Sequence, residues 1–284
     1  MLAVVGAACA NGASASDGGG PGSGADSVQE TLLDHVLQTG VLRVATDPRY
    51  PPQSYYDAAT DTWRGFDIDV ATEIARRLGV KIRWETPAWD VVTAGRWEDR
   101  WDLSVGSMTI TAQRAELLDF SSPYYYTPAG FAVRKGSVIA SIGQLAGKQV
   151  GVCGACTYEY YLERKLDIPG YRIAYAVPRA IVIRTYGTDT TAIQDLVSGR
   201  LDAVMSAVPT LQRAIDEGSP IELLGAPVFY DPLAAAADKS SSLDPTSFIA
   251  KVSSIIDRMH LDGTLSRLSM KWYGTDLTVN PFGG

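Results

Sequence analysis

Apolar residues recur at every fourth position in one segment of the first third of the chain. They are Phe66, Val70, Ile74 and Leu78, and Gly79 follows the last of them directly. In an α-helix this spacing places the four side chains on one face, and a glycine just beyond is a common stop signal. The pattern therefore predicts an amphipathic helix that ends at Leu78.

Short apolar runs rich in β-branched residues lie on both sides of this helix. Residues 41–45 (VLRVA), 81–84 (KIRW) and 102–106 (DLSVG) are predicted strands, and residues 47–53 (DPRYPPQ) form a Pro-rich loop. Strands that alternate with helices in this way are typical of a parallel α/β sheet.

The same alternation begins again at about residue 141. The predicted strands there are 148–152 and 201–206, and the predicted helices are 142–147, 157–166, 190–198, 248–259 and 262–274. Two successive α/β segments of this kind indicate two lobes.

The composition changes this picture only by excluding some partners. The 284 residues are 46% hydrophobic and 20% charged, with a formal net charge of -7, which is a globular composition. No run of Lys or Arg forms a basic stripe, so we expect no nucleic-acid partner. After the first dozen residues no apolar stretch reaches the roughly 20 residues that cross a bilayer.

The N-terminus has a different character from the rest of the chain. Residues 1–8 (MLAVVGAA) are apolar and small and end at Cys9, and residues 10–27 are too poor in large apolar groups to fold. This arrangement resembles the end of a bacterial lipoprotein signal peptide, with Cys9 as the lipidation site. The alternative is a generic secretory leader or an unstructured tail. We assign residues 1–39 to a leader, a flexible tether and the start of the domain.

Six segments together resemble a known family. They are GVLRVATDPRYPP, GFDIDVATEIARRLGV, SMTITAQRAELLDFSSPYY, LAGKQVGV, SGRLDAV and DGTLSRLSMKWYG, in this order between Gly40 and Gly274. They are similar to the signature segments of polar amino-acid-binding proteins, the extracytoplasmic solute receptors of ABC importers.

The resemblance implies an α/β, two-lobed type II periplasmic-binding-protein fold with two crossover strands. Lobe 1 would comprise residues 40–131 and 232–284, and lobe 2 residues 132–231. The crossovers would lie near Phe131–Val133 and Phe229–Leu233. Hinge closure of such lobes buries the ligand between them.

The resemblance also implies a function. It is that of the substrate-binding component of an ABC importer, which captures an amino-acid-like small carboxylate. Such a protein would be a periplasmic or lipid-anchored extracytoplasmic monomer, with an ABC permease as partner and no cofactor or metal.

Arg114 is the first candidate for the ligand site. Its planar guanidinium can hold a carboxylate through two parallel hydrogen bonds, which lysine cannot do. The resemblance implies that Arg114 and Thr109 bind the ligand's α-carboxylate and that Ser107 offers a carbonyl to its ammonium. The alternative is a surface ion pair of Arg114 with Glu116 or Asp119.

Other candidates lie on the loops after strands, where open α/β sheets bind ligands. The family's Gly-Thr-Thr segment corresponds here to Ala155, Cys156 and Thr157, so Thr157 would complete the carboxylate site. The resemblance also places Asp47, Tyr50 and Trp89 at the pocket wall. The alternative for each of these aromatic residues is packing in the core.

One position departs from the family pattern. Ala207 stands where the acid that pairs with the ligand's α-ammonium is usual. An unpaired buried ammonium is costly. Either another carboxylate, with Asp189 and Asp231 as candidates, takes this role, or the ligand lacks a free ammonium.

Cys153 and Cys156 form a C-x-x-C motif between a predicted strand and a predicted helix. A thioredoxin-type redox site, a local disulfide that stiffens the ligand loop, and free thiols all fit this spacing. Zinc does not fit, because the sequence has only two His, far apart.

Two other classes of protein remain as alternatives. An enzyme is one, since some hydrolases and dehydratases share the implied fold, but no catalytic motif is present and the pair Asp67 and Asp69 is predicted to be solvated or structural. The other is a sensor that passes ligand occupancy to a membrane partner.

Overall fold

The computed structural model describes residues 30–281. Cys9 and most of the predicted leader and tether lie outside the described residues, so their assignment stays a prediction. Within the described part no helix is long and apolar enough to span a membrane.

Helices and strands alternate along most of the described chain. The helices are α1 (Leu32–Thr39), α2 (Phe66–Leu78), α3 (Trp89–Thr93), α4 (Ala112–Leu117), α5 (Thr157–Leu162), α6 (Asp189–Val197), α7 (Val208–Asp216), α8 (Thr246–Leu261) and α9 (Thr264–Tyr273), with a 3-10 turn at Ile142–Leu145. The strands are β1 (Val41–Ala45), β2 (Arg49–Tyr50), β3 (Ser54–Asp57), β4 (Thr62–Arg64), β5 (Lys81–Glu85), β6 (Leu103–Thr109), β7 (Leu118–Arg134), β8 (Gln149–Cys153), β9 (Val182–Tyr186), β10 (Ala203–Ala207) and β11 (Ile221–Asp238).

Eight of these strands form one sheet in the order β5-β1-β6-β11-β7-β10-β8-β9. Each end of the sheet is parallel, whereas β11 and β7 run antiparallel to each other in the middle. We call the half with β1, β5 and β6 the first lobe and the half with β8, β9 and β10 the second lobe. The predicted two-lobed fold with two crossover strands is confirmed.

The two central strands exchange neighbours as they pass from one lobe to the other. On β11, Leu233 pairs with β6, and on β7, Ala129 already pairs with β10. Phe131 and Val133 also pair with β10, so β7 enters the second lobe before the segment predicted from the sequence. The predicted lobe boundaries, at 131/132 and 231/232, fall on these two strands and stay a prediction.

Each lobe has its own apolar core. The predicted helix forms as α2, and Phe66, Val70, Ile74 and Leu78 all lie in the core of the first lobe. Gly79 ends this helix in a left-handed conformation, with φ of 79°, which glycine adopts without steric cost. A separate cluster that includes Val150, Tyr161 and Met205 fills the second lobe.

Some elements differ from those that the sequence predicts. The Pro-rich loop contains β2, which joins β3 and β4 in a small antiparallel sheet. Helix α5 ends at Leu162 rather than at residue 166, because Arg164 takes a left-handed φ of 61° and the next two amides turn back to the carbonyl of Tyr160.

Candidate functional site

A cavity lies between the two lobes, at the carboxyl ends of several sheet strands. Its empty space, counted to the open mouth, is about 550 Å³. Every residue that the sequence analysis placed at the ligand lines it: Asp47, Tyr50, Trp89, Ser107, Thr109, Arg114, Cys156, Thr157, Asp189 and Asp231. The sequence analysis missed other lining residues, among them Thr127, Tyr158, Thr188 and Leu233.

Arg114 is the buried cation of this cavity. It lies on α4, only 4% exposed, so a surface ion pair with Glu116 or Asp119 is excluded. Its Nη1 donates to the carbonyl of Thr109 at 3.1 Å, and its Nη2 donates across the cleft to the carbonyl of Ala155 at 2.8 Å. Nε has no hydrogen-bond partner in residues 30–281. The guanidinium is therefore held by neutral carbonyls and keeps donors to spare.

Asp231 is a buried carboxylate on the crossover strand β11, 1% exposed. Its Oδ1 accepts from Thr109 Oγ1 of the first lobe at 2.8 Å, and its Oδ2 accepts from Thr157 Oγ1 of the second lobe at 3.4 Å. Burial raises the pKa of Asp231 to about 6, against the opposing effects of both threonines and of Arg114. One side chain at the hinge thus contacts both lobes.

The loop between β8 and α5 shapes the second-lobe wall. Cys153 and Cys156 are joined by a disulfide in the structure. Between them Ala155 has a φ of 57°, and its amide donates to Glu159 Oε2 at 2.7 Å. Its carbonyl accepts from Arg114 and, at 3.3 Å, from Trp89 Nε1. This loop therefore supplies an acceptor to two first-lobe side chains.

Asp189, Asp47 and two tyrosines line another region of the cavity wall. Asp189 is 7% exposed, and its Oδ1 has no hydrogen-bond partner among the described residues. Burial raises the pKa of Asp189 to about 7, and the negative charge of Asp47 adds to the rise. The hydroxyls of Tyr50 and Tyr158 lie 3.5 Å apart across the cleft. This region of the cavity wall therefore contributes two acidic side chains, Asp47 and Asp189.

Ser107 is held in place by side chains that the sequence analysis did not assign to the site. It has a left-handed φ of 56°, its Oγ donates to Asp67 Oδ2 at 2.7 Å and also contacts the hydroxyl of Tyr125, and its amide donates to Tyr124 OH at 3.0 Å. Asp67 is fully buried, which agrees with a structural role and excludes the alternative of a solvated carboxylate. Burial raises the pKa of Asp67 to about 7. Asp67 directly follows Phe66 of the apolar face of α2, and this position could have indicated its burial from the sequence.

Ala207 is part of the apolar core of the second lobe and not of the cavity wall. An acid for an ammonium must therefore come from another position. No group of His, Cys, Asp and Glu within residues 30–281 could hold a metal ion.

Comparison with known proteins agrees with this geometry. The model of the bacterial extracellular solute-binding proteins, family 3, matches residues 42–275. The chain belongs to this family, and it is a solute-binding protein of the two-lobed type II fold.

Among curated relatives, the L-cystine-binding protein TcyJ of Escherichia coli K12 is 29% identical over 252 residues, which cover 88% of each chain. An ancestral arginine-binding protein solved with arginine has a TM-score of 0.72 and 28% identity, covering 83% of this chain and 99% of that one. The ancestral amino acid-binding protein AncCDT-1, a precursor of cyclohexadienyl dehydratase, has a TM-score of 0.73 and 28% identity, covering 85% and 99%.

Proposed function

We propose that this protein is the substrate-binding component of an ABC importer and captures an amino-acid-like carboxylate between its lobes. The observation that carries the proposal is the buried Arg114 in a cavity between two lobes, whose Nε has no hydrogen-bond partner in the part of the chain that the structure describes. The relatives described above support the ligand class, since they are a cystine-binding and an arginine-binding protein.

The guanidinium favours an anionic ligand for a physical reason. A buried cation whose hydrogen bonds go to neutral carbonyls has lost its hydration without gaining a direct ion pair, which is costly. Arginine has five N–H donors, and two of them are used in contacts within the chain. The remaining donors can bind both oxygens of a carboxylate at once. A carboxylate at Arg114 would therefore supply the missing charge and the missing acceptors.

Closure of the lobes would follow from the same contacts. Arg114 and Trp89 of the first lobe reach the carbonyl of Ala155, and Thr157 reaches Asp231 at the hinge. A ligand bound at Arg114 would lie beside each of these cross-lobe bonds. The closed form would thus be the form that binds most tightly, which is the usual behaviour of a hinged receptor.

The proposal includes a place in the cell. The apolar stub before Cys9 supports lipidation of that cysteine, which would hold the protein at the outer face of the membrane beside its permease. The protein would act as a monomer. Mass spectrometry of the protein from membranes should find a diacylglyceryl group on Cys9, and Cys9→Ser should release it into the soluble fraction. An unmodified Cys9 in membranes would contradict the anchor.

The ligand site is tested by binding assays on the variant Arg114→Ala. A thermal-shift screen first finds amino acids that raise the melting temperature of the wild type, as any ligand of the native state must. Arg114→Ala should then weaken the binding of these compounds by about 2–5 kcal/mol, since a buried charged hydrogen bond is lost.

The matched control is Arg83→Ala, an exposed arginine that pairs with Glu85 on the outer strand β5, and it should bind as the wild type does. Equal affinity of Arg114→Ala and wild type would reject the assignment of the carboxylate site.

A catalytic role is the second candidate, and one observation favours it. Asp189 is a buried acid with a pKa raised to about 7, a value suited to proton transfer, and a relative in structure is described as a precursor of a dehydratase. Chromatography of each bound amino acid after hours with the protein decides. Unchanged compound supports a binding protein, whereas a product that forms in wild type and not in Asp189→Asn supports an enzyme.

A further inference from the structure

An amino acid brings an ammonium into the cavity as well as a carboxylate. The position where relatives of this type are expected to carry an acid is Ala207, and its side chain packs in the apolar core of the second lobe. Ala207 therefore offers the ligand no charged group. The counter-charge for an ammonium must come from the acids that line the cavity, which are Asp47, Asp189 and Asp231.

These acids differ in how close they lie to Arg114. Thr109 bridges Arg114 and Asp231, since its carbonyl accepts from Arg114 Nη1 at 3.1 Å and its hydroxyl donates to Asp231 Oδ1 at 2.8 Å. Asp189 has no such link to Arg114, and its Oδ1 has no hydrogen-bond partner among the described residues. The carboxylate and the ammonium of an α-amino acid hang on one carbon atom, so the two groups that bind them must be neighbours. Only Asp231 meets this condition among the acids of the cavity wall.

Arg114 and Asp231 nevertheless do not form an ion pair. Among the described residues the hydrogen bonds of both groups go to other partners, although both side chains are buried in the same cavity. Asp231 accepts from two threonine hydroxyls, which leaves about half of the acceptor positions of a carboxylate. Nε of Arg114 likewise has no hydrogen-bond partner from Glu30 to Pro281. A cation and an anion therefore stand side by side with free positions on each, which is the complement of a zwitterion.

We infer that Asp231, on the crossover strand, binds the ligand's α-ammonium in place of the acid absent from position 207. The inference rests on the proposed function, in which Arg114 holds the α-carboxylate. It names the ligand class as α-amino acids with a free ammonium. It also gives the ammonium a role in closure, because the carboxylate that binds it accepts from Thr109 of the first lobe and Thr157 of the second.

The test compares each amino acid with the same acid lacking its ammonium. The probes are the twenty protein amino acids and L-cystine, each paired with its desamino counterpart, such as 5-guanidinopentanoate for L-arginine. Calorimetry gives the ratio of the two dissociation constants for every pair that binds. In the wild type we expect the amino acid to bind at least about tenfold more tightly than its counterpart, as a charged hydrogen bond predicts.

Asp231→Asn should abolish most of this preference while the desamino acid still binds, which also shows that the variant is folded. Asp238→Asn is the matched control, a buried acid farther along the same strand and outside the cavity, and it should leave the ratio unchanged. Asp189→Asn tests the other candidate acid of the cavity wall. A ratio that is unchanged in Asp231→Asn, or that collapses only in Asp189→Asn, would overturn the inference. If Arg114→Ala nevertheless abolishes the binding of both probes, the proposed function is retained and only the role of Asp231 is rejected.

A measurement on the wild type needs no variant. The groups that act on Asp231 are Arg114 and the hydroxyls of Thr109 and Thr157, while Tyr50 and Tyr158 feel its charge. Because Asp231 is protonated near pH 6, a change from pH 8 to pH 5.5 should weaken the binding of the amino acid more than the binding of its desamino counterpart. Parallel pH profiles for the two probes would overturn the inference. A wild type that binds none of the amino acids would overturn the proposed function together with it.

Discussion

Reduction of the Cys153–Cys156 disulfide should lower the stability of the protein by a small and calculable amount. The bond closes a loop with a sequence separation of 3, and the loop-closure entropy of so short a ring corresponds to about 2 kcal/mol. For a chain of this size that free energy shifts the melting temperature by about 4–8 °C.

The same change should weaken ligand binding. The loop presents the Ala155 carbonyl to Arg114 and Trp89 at a left-handed φ of 57°, a conformation that costs a non-glycine residue about 1–2 kcal/mol. Without the disulfide the loop has more alternatives to this conformation. We expect the affinity for an amino acid to fall about threefold to tenfold, the equivalent of one ordinary hydrogen bond.

The assay is a thermal melt and a titration with and without a phosphine reductant, in a Cys9→Ser background. The double variant Cys153→Ser/Cys156→Ser is the control, and it should melt at the lower temperature whether or not reductant is present. A thiol count under denaturing, non-reducing conditions comes first. Two reactive thiols would show that the bond does not form, and an unchanged melting temperature after complete reduction would refute the entropic argument.

Three further predictions concern charge, backbone and closure. The ligand-free protein should melt at a higher temperature at pH 5.5 than at pH 8. Three buried acids, Asp67, Asp189 and Asp231, have raised pKa values. Above about pH 4 the folded protein therefore binds more protons than the unfolded chain, and its stability falls as the pH rises. The absence of any rise would contradict the buried, ionisable state of these groups. Gly65→Ala should destabilise by about 2–5 kcal/mol in urea unfolding, since Gly65 has a φ of 134° and an added Cβ would lie 2.2 Å from a backbone oxygen; wild-type stability would show that the backbone there can relax. Thr210→Val removes a 3.1 Å hydrogen bond to the Gln53 side chain, which joins the lobes outside the cavity. The radius of gyration of the ligand-free protein in X-ray scattering should therefore increase. Ligand affinity should fall, whereas the preference for a ligand with an ammonium should stay the same.

The sequence led to candidate positions for the site but not to its internal contacts. The resemblance to a family of solute receptors led us to expect the residues on the loops after β1, β6 and β8 at one cavity, since open α/β sheets bind ligands at the carboxyl ends of their strands. That Thr109 and Thr157 share Asp231 depends on the register of β11 against β7, where Asp231 pairs with Thr127. Spacing along the chain carries no information about this register.

The resemblance implied both crossovers, but the sequence pattern did not predict the length of these two strands, for a related reason. β7 contains Pro123 and Pro128, and β11 contains Pro227 and Pro232, and proline within a run argues against a central strand. The pairing of the two strands shifts register between Leu224 and Phe229 and again near Leu233. Such irregular pairing accommodates proline at the hinge, but it removes the regular alternation by which strands are recognised in a sequence.

Two acceptors, the Ala155 carbonyl and the Asp231 carboxylate, receive four of the hydrogen bonds at the cavity. A ligand carboxylate offers Arg114 a charged acceptor, so the guanidinium gains a partner as the ligand enters. A ligand ammonium offers Asp231 a charged donor in the same step. A carboxylate alone would instead place a second negative charge beside Asp231 and raise the free energy of both. The balance of charge at this hinge therefore favours a zwitterion over a simple organic acid, and it does so through a residue on the strand that both lobes share.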